Sequence, residues 1–241
     1  MKLAKSIRVL ILGAPGTGKA IQCRKINSAF PAIRCLCAGD IIRTEMPRGS
    51  SSSFLVTRLM EEGRVVPDDM MIALTQNHLL EKDLLSTYKS WAISGIPRTE
   101  NQAITLDKEL KRHNAGVNMV IELDIDDETL LKRVQTRWIH PPSGRVYNLN
   151  DNPPKEKLKD DVTGEPLQQR PGDVADLFMS RLREYREEAE KIRNHYSKRG
   201  IYHKIHGQTT ENMFPKIRDL LALKFGRMDP ANFDSESLQG R

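Results

Sequence analysis

An α/β fold built on a parallel sheet of five strands flanked by helices is what this sequence of 241 residues predicts. Three observations carry that prediction. Short apolar runs alternate with longer segments of helical character along the chain. The first run, Arg8-Val9-Leu10-Ile11-Leu12, leads directly into Gly13-Ala14-Pro15-Gly16-Thr17-Gly18-Lys19. The turns at Gly39-Asp40 and at Ser94 to Arg98 follow later runs, at strand carboxyl ends, where ligands gather in open parallel sheets.

Each element has a local reason. The first run is apolar on both faces, as a buried parallel strand must be. A helix follows from Lys19 to Ser28, then a second strand from Ala32 to Cys37 and a short helix from Asp40 to Glu45. Pro47 to Ser53 is a Pro/Gly/Ser-rich breaker. Phe54 to Glu62 reads as a helix ended by Gly63, and Asp68, after Val65-Val66-Pro67, sits near the cap of a longer one. Trp91-Ala92-Ile93 is a third strand, followed by a helix from Thr99 to Arg112. Val117 to Ile125 is the fourth strand, followed by a helix from Asp127 to Trp138. Residues 139–174 are rich in proline and in Ser-Gly and Thr-Gly turns, and read as a small β-rich insertion. A long helix from Val174 to Lys198, a fifth strand from Ile201 to Ile205 and a helix from Thr210 to Leu223 complete the pattern. The polar tail, residues 227–241, is expected to be disordered.

The strand, glycine-rich turn, Gly-Lys and helix together form a P-loop and point to a P-loop NTPase fold. Its glycines let backbone N–H groups crowd an oxyanion, and the helix N-terminus adds partial positive charge. Lys19 can follow the phosphate charge as it moves.

Composition narrows the partners. The formal charge is +6, which fits either nucleic acid or a cluster of cations around a polyphosphate. Aromatics are only 5% and do not interleave with basic residues, which argues against a base-stacking surface and hence against nucleic acid. No apolar stretch is long enough to span a bilayer, so no membrane is expected. Cys23, Cys35 and Cys37 are too few for a disulfide framework and read as buried free thiols in a reducing compartment. Residues 1–39 hold seven Lys and Arg and no Asp or Glu, the charge bias of a mitochondrial targeting segment. The first strand begins so early that import without cleavage is the expectation; the alternative is a cytosolic protein with a basic face.

Four segments resemble the adenylate kinase family: the P-loop, Gly39-Asp40-Ile41-Ile42-Arg43, Gly95-Ile96-Pro97-Arg98-Thr99 with Gln102, and Arg137 through Tyr147. With Asp160 to Leu167, the last resembles the long-lid members, above all the mitochondrial-matrix GTP:AMP phosphotransferases. The resemblance spans about residues 6–225 and implies a division of the chain. A discontinuous core would comprise 1–36, 67–137 and 174–226, an AMP-binding lobe 37–66, and a lid 138–173. It implies transfer of the γ-phosphoryl of GTP or ATP to AMP with Mg²⁺, by a monomer whose partners are small nucleotides.

The resemblance also assigns residues. The triphosphate would meet Gly13, Ala14, Pro15, Gly16, Thr17, Gly18, Lys19 and Ala20, together with Arg133, Arg137, Tyr147 and Gln208. AMP would meet Ala38, Arg43, Val66, Gly95, Arg98, Gln102, Arg170 and Arg181. Lys19, Arg98, Arg137, Arg170 and Arg181 would carry catalysis by stabilising the transferring phosphoryl. Arg133 would lay its guanidinium plane on the donor base. Asp40 and Asp173 are the candidates for holding Mg²⁺ through water, with no direct protein ligand. The lid contains no cysteine, so the resemblance implies a polar network of His140, Ser143, Asp160 and Thr163 instead of zinc.

The chain departs from the family pattern at several points. Ser94 stands where the family has an Asp, and Ala20-Ile21 where it has Gly-Thr. Ala38 replaces a hydroxyl residue, and Gly172 the first Asp of a pair. Two readings follow: a phosphotransferase slowed by these changes, or a catalytically impaired nucleotide-binding protein that senses or regulates.

Overall fold

The computed structural model describes residues 6–46, 54–56, 58–59, 64, 66–150, 152–169 and 173–225. Five parallel strands form the central sheet: β1 (Arg8–Gly13), β2 (Ile33–Cys37), β3 (Ser90–Ser94), β4 (Met119–Asp124) and β7 (Tyr202–His206), in the order β2-β3-β1-β4-β7. β1 lies in the middle, with Leu10 opposite Ile93 of β3 on one side and Val120 of β4 on the other.

Strand alternation divides the core between two faces. Leu10, Leu12, Trp91, Ile93 and Val120 point to one cluster, and Val9, Ile11, Ala92 and Ile121 to the other. Three helices supply buried residues to the first face: α2 (Ala38–Glu45), α3 (Asp68–Glu81) and α4 (Glu100–Arg112). The second face is covered by α1 (Lys19–Ala29), α5 (Asp127–Gln135) and α7 (Thr210–Phe225). The long α6 (Ala175–Ser197) serves both, giving Phe178 and Leu182 to one cluster and Ile192 and Tyr196 to the other. No helix among the described residues is long and apolar enough to cross a membrane.

Two expectations need correction. The helix after β4 ends at Gln135, not Trp138. Arg137 and Trp138 instead open β5 (Arg137–His140), which pairs antiparallel with β6 (Arg145–Asn148), Trp138 facing Tyr147. Cross-strand pairing here outcompetes the helical continuation that local sequence favours. The cysteines are not all free. Cys23 on α1 and Cys35 on β2 form a disulfide, and only Cys37 remains as a thiol. The helix and the strand it packs on bring together residues that 12 positions separate in sequence. The breaker at 47–53, Gly63, Arg170, Gly172 and the tail at 227–241 lie outside the described residues; residues 54–56 and 58–59 are helical.

Candidate active site: a cationic cleft over the P-loop

The P-loop joins the carboxyl end of β1 to α1, at the middle of the sheet. Gly13 has φ +148°, and a Cβ there would lie 2.7 Å from the Thr17 hydroxyl and 3.0 Å from the Leu123 carbonyl oxygen. Gly18 caps α1 in the left-handed region, at φ 81°. No side chain caps this helix and its first turn holds no acid, so its amide end and dipole face the cleft uncompensated. Thr17 is fully buried, and its hydroxyl donates to the Ala14 carbonyl at 2.9 Å, fixing the loop from within. Lys19 folds back over the loop: its Nζ donates to the carbonyls of Gly13 at 2.7 Å and Ala14 at 2.8 Å.

Other cations converge on Lys19. Burial first, then the charges of Arg98, Arg137 and Arg181, lower its pKa to about 7. Burial, followed by Arg137 and Arg98, depresses Arg181 as well. These four residues come from the P-loop, the segment after β3, the start of β5 and the first turns of α6. The sheet therefore assembles from distant sequence what no single segment contains. Arg137 is braced by Asp173, Nε to Oδ2 at 2.7 Å and Nη2 to Oδ1, a bidentate pair almost wholly buried.

On the β2 side, Asp40 pairs with Arg43 one helical turn away. The Ala38 methyl abuts Gly95, where a Cβ would lie 3.2 Å away; Gly95 itself has φ +87°. Val66 and Gln102, both expected in the acceptor pocket, are buried, Val66 in the same apolar cluster as Ala38. Gln102 lies at the start of α4, its Oε1 accepting from the Arg98 backbone N–H at 2.8 Å. Arg98 Nε donates to the Gly95 carbonyl at 3.0 Å. On the β4 side, Arg133 donates to the Gln208 carbonyl at 2.7 Å, tying α5 to the loop after β7.

Ser94 is buried, and its hydroxyl donates to the Cys37 sulfur at 3.2 Å. Burial pushes the Cys37 thiol up, so it remains protonated and neutral at physiological pH. The place where a carboxylate was absent is thus occupied by two neutral polar groups. Cys37 was missed because strand residues reveal their neighbours only once β2 and β3 pair, with Cys37 opposite Ser94.

The hairpin beyond α5 is held by side chains. His140 meets Ser143 Oγ at 2.7 Å through Nδ1 and Glu165 Oε2 at 2.5 Å through Nε2. Asp160 is buried; it accepts from Arg145 Nε at 2.7 Å, from the Tyr147 hydroxyl at 2.9 Å and from Thr163. Arg145 foremost holds the Asp160 carboxyl well below the usual carboxylate range. The Tyr147 hydroxyl donates to Asp160 Oδ1 at 2.9 Å and accepts from the Asp161 N–H at 2.9 Å, tying β6 to the segment at 160–161. Sequence reading assigned no role to Glu165 or Arg145, although both lie within the motif segments. Among the described residues, no group of three or more His, Cys, Asp or Glu is placed to hold a metal ion.

The sheet order, the P-loop and the convergent cations define a P-loop protein built to bind and act on a nucleotide polyphosphate. Comparison with known proteins agrees. A family model described as adenylate kinase matches residues 11–201. A protein of Saccharomyces cerevisiae named "GTP:AMP phosphotransferase, mitochondrial" is 41% identical over 224 residues, covering 93% of this chain and 96% of the relative. The protein of the same name from strain ATCC 204508 / S288c is 40% identical over 212 residues, covering 88% and 94%. The chain belongs to the adenylate kinase family, a family of phosphotransferases acting on nucleoside monophosphates.

Proposed function

We propose that this protein transfers the γ-phosphoryl of GTP, or of ATP, to AMP. The observation that carries the reading is the meeting of Lys19, Arg98, Arg137 and Arg181 over the P-loop. Phosphoryl transfer needs distributed positive charge and little covalent help, and these groups offer it in a partly dehydrated cleft. A protein that only sensed nucleotide would have no use for so many charges aimed at one phosphate chain. The names of the yeast relatives support GTP as donor and AMP as acceptor.

In this reading, residues 13–20 cradle the donor phosphates, and Arg133 and the Gln208 segment receive the donor base. Arg43, Arg98 and Gln102 hold AMP, with Ala38, Val66 and Gly95 forming the walls of its pocket. Arg137 and Arg181, with Arg170, clamp the moving phosphoryl. Tyr147 supports the lid from inside. The 138–173 segment closes as a lid and the 37–66 segment as the acceptor lobe, on a core of 1–36, 67–137 and 174–226. Mg²⁺ would come with the triphosphate; Asp40, paired with Arg43, and Asp173, paired with Arg137, would hold it through water by the carboxylate lone pairs those ion pairs leave over, and Ser94 would add a hydroxyl but no charge. In this reading the protein works as a monomer in the mitochondrial matrix; the word mitochondrial in the relatives' names supports the organelle.

The test is chromatographic: purified protein with AMP, Mg²⁺ and either GTP or ATP. ADP with GDP, formed faster from GTP than ADP is formed from ATP, is the expected result. No product from either donor, despite binding of both nucleotides, sinks the enzyme reading.

A further inference from the structure

We propose that Asp68 sets the base preference of the acceptor pocket by fixing which way round the Gln102 amide faces. Gln102 is fully buried at the start of α4. Its Oε1 accepts from the Arg98 backbone N–H at 2.8 Å, and its Nε2 donates to Asp68 Oδ1 at 2.9 Å. Asp68, in the first turn of α3, is itself fixed: its Oδ2 accepts from the Thr99 hydroxyl at 2.7 Å and from Asn101 Nδ2 at 3.1 Å. Thr99 in turn caps α4, accepting from the Gln102 backbone N–H at 3.1 Å.

A backbone N–H can only donate, and an ionised carboxylate can only accept. Turning the amide over would set NH₂ against N–H and C=O against carboxylate, two repulsive contacts in a buried place. The orientation is therefore locked. A primary amide has two N–H donors and two acceptor sites, and the protein uses one of each. What remains is one N–H beside one acceptor. That pair complements a 6-aminopurine, whose N1 accepts and whose exocyclic amine donates. A 6-oxopurine offers N1–H and a carbonyl and demands the reversed amide. Asp68 is thus a positioning residue: it excludes the oxopurine by denying Gln102 the flip.

This inference rests on the reading of the pocket as an AMP site. It is tested by equilibrium binding of AMP and of inosine monophosphate to the full chain, so that a protein that binds without turnover still tests it. The wild type is expected to prefer AMP. Asp68→Asn offers an N–H to a reversed Gln102 and relieves one of the two opposing contacts. The AMP-to-inosine monophosphate affinity ratio should fall about tenfold or more. Asp68→Ala removes the acceptor without offering a donor and should narrow the ratio less, which gives a second reading if the first variant is poorly folded. Asn101→Ala removes a partner of Asp68 but leaves the lock, and should keep the wild-type ratio. Damage to the pocket alone lowers both affinities together and leaves their ratio unchanged; that outcome in both Asp68 variants overturns the proposal. A wild type that binds neither monophosphate overturns it along with the acceptor assignment. Binding with the expected selectivity but no product overturns only the enzyme reading.

Discussion

At the level of single residues, Ser94 and Lys19 carry the sharpest predictions of the proposed chemistry. Ser94 is buried against the Cys37 thiol, and its hydroxyl carries no charge that would draw a cation. Ser94→Asp, combined with Ile21→Thr, should raise kcat with Mg²⁺ by about ten- to a hundredfold, the value of one charge-assisted hydrogen bond. Rates no higher than wild type across a Mg²⁺ titration would mean that Asp40 and Asp173 already suffice. Lys19 predicts a pH dependence. Its pKa of about 7 lies below that of a free lysine, so the empty cleft loses this charge as pH rises through 7. Bound phosphate restores the charge, so triphosphate binding takes up a proton, and affinity should fall by up to about tenfold per pH unit above 7. Stability runs the other way. Between pH 7 and the ordinary lysine range the unfolded chain holds more protons than the folded one, so this residue makes stability rise with pH across that window. Calorimetric titration in buffers from pH 6 to 9 checks the first sign and thermal melts the second. The P-loop was legible because all its determinants are local. The Asp68–Gln102 lock was not, because its partners lie 34 residues apart and meet only when α3 and α4 dock.

At the scale of elements, the β5–β6 hairpin lies against α2. Gly144, in the turn between β5 and β6, has φ +69°, and a Cβ there would fall 2.3 Å from an Arg43 guanidinium nitrogen on α2. Gly164, in the turn after Asp160, has φ +73°, and a Cβ there would meet nothing within 4 Å. Either Gly→Ala change forces a left-handed alanine, costing about 1–2 kcal/mol of stability. Only Gly144→Ala should also displace Arg43, raising KM for AMP about tenfold while Gly164→Ala leaves it near wild type. Steady-state kinetics beside thermal melts separates the two effects. Sequence periodicity placed nearly every core element to within a few residues, since a strand or helix shows its buried face in its own repeat. It failed at Arg137 and Trp138, whose conformation is set by Asn148 and Tyr147 across the hairpin. The Asp160 cluster was legible by family likeness, but Arg145 and Glu165 complete it through contacts that spacing does not reveal.

Over the whole molecule, the Cys23–Cys35 disulfide clips the helix behind the P-loop to β2, an edge strand of the sheet. Cross-linking a loop of this size removes unfolded-state freedom worth about 3 kcal/mol. For a chain of this length that is roughly 6–12 °C in Tm. Scanning calorimetry with and without a dithiol reductant should show a fall of that order, and Cys37→Ser should not alter it. A Tm indifferent to reductant would mean that the cross-link adds nothing to the packing of α1 on β2. Chain reading missed the bond because composition speaks of how many cysteines there are and of compartment, whereas the fold alone brings two sulfurs together.

The inward fold of Lys19 has a consequence for the empty protein in ordinary salt. Its ammonium already sits on the carbonyls of Gly13 and Ala14. Drawing it away would take an anion that replaces both contacts, as a triphosphate could while it meets the neighbouring guanidiniums, and a lone chloride could not. The resting Lys19 would thereby disfavour chloride and small anions at the P-loop and favour a chain of phosphates there.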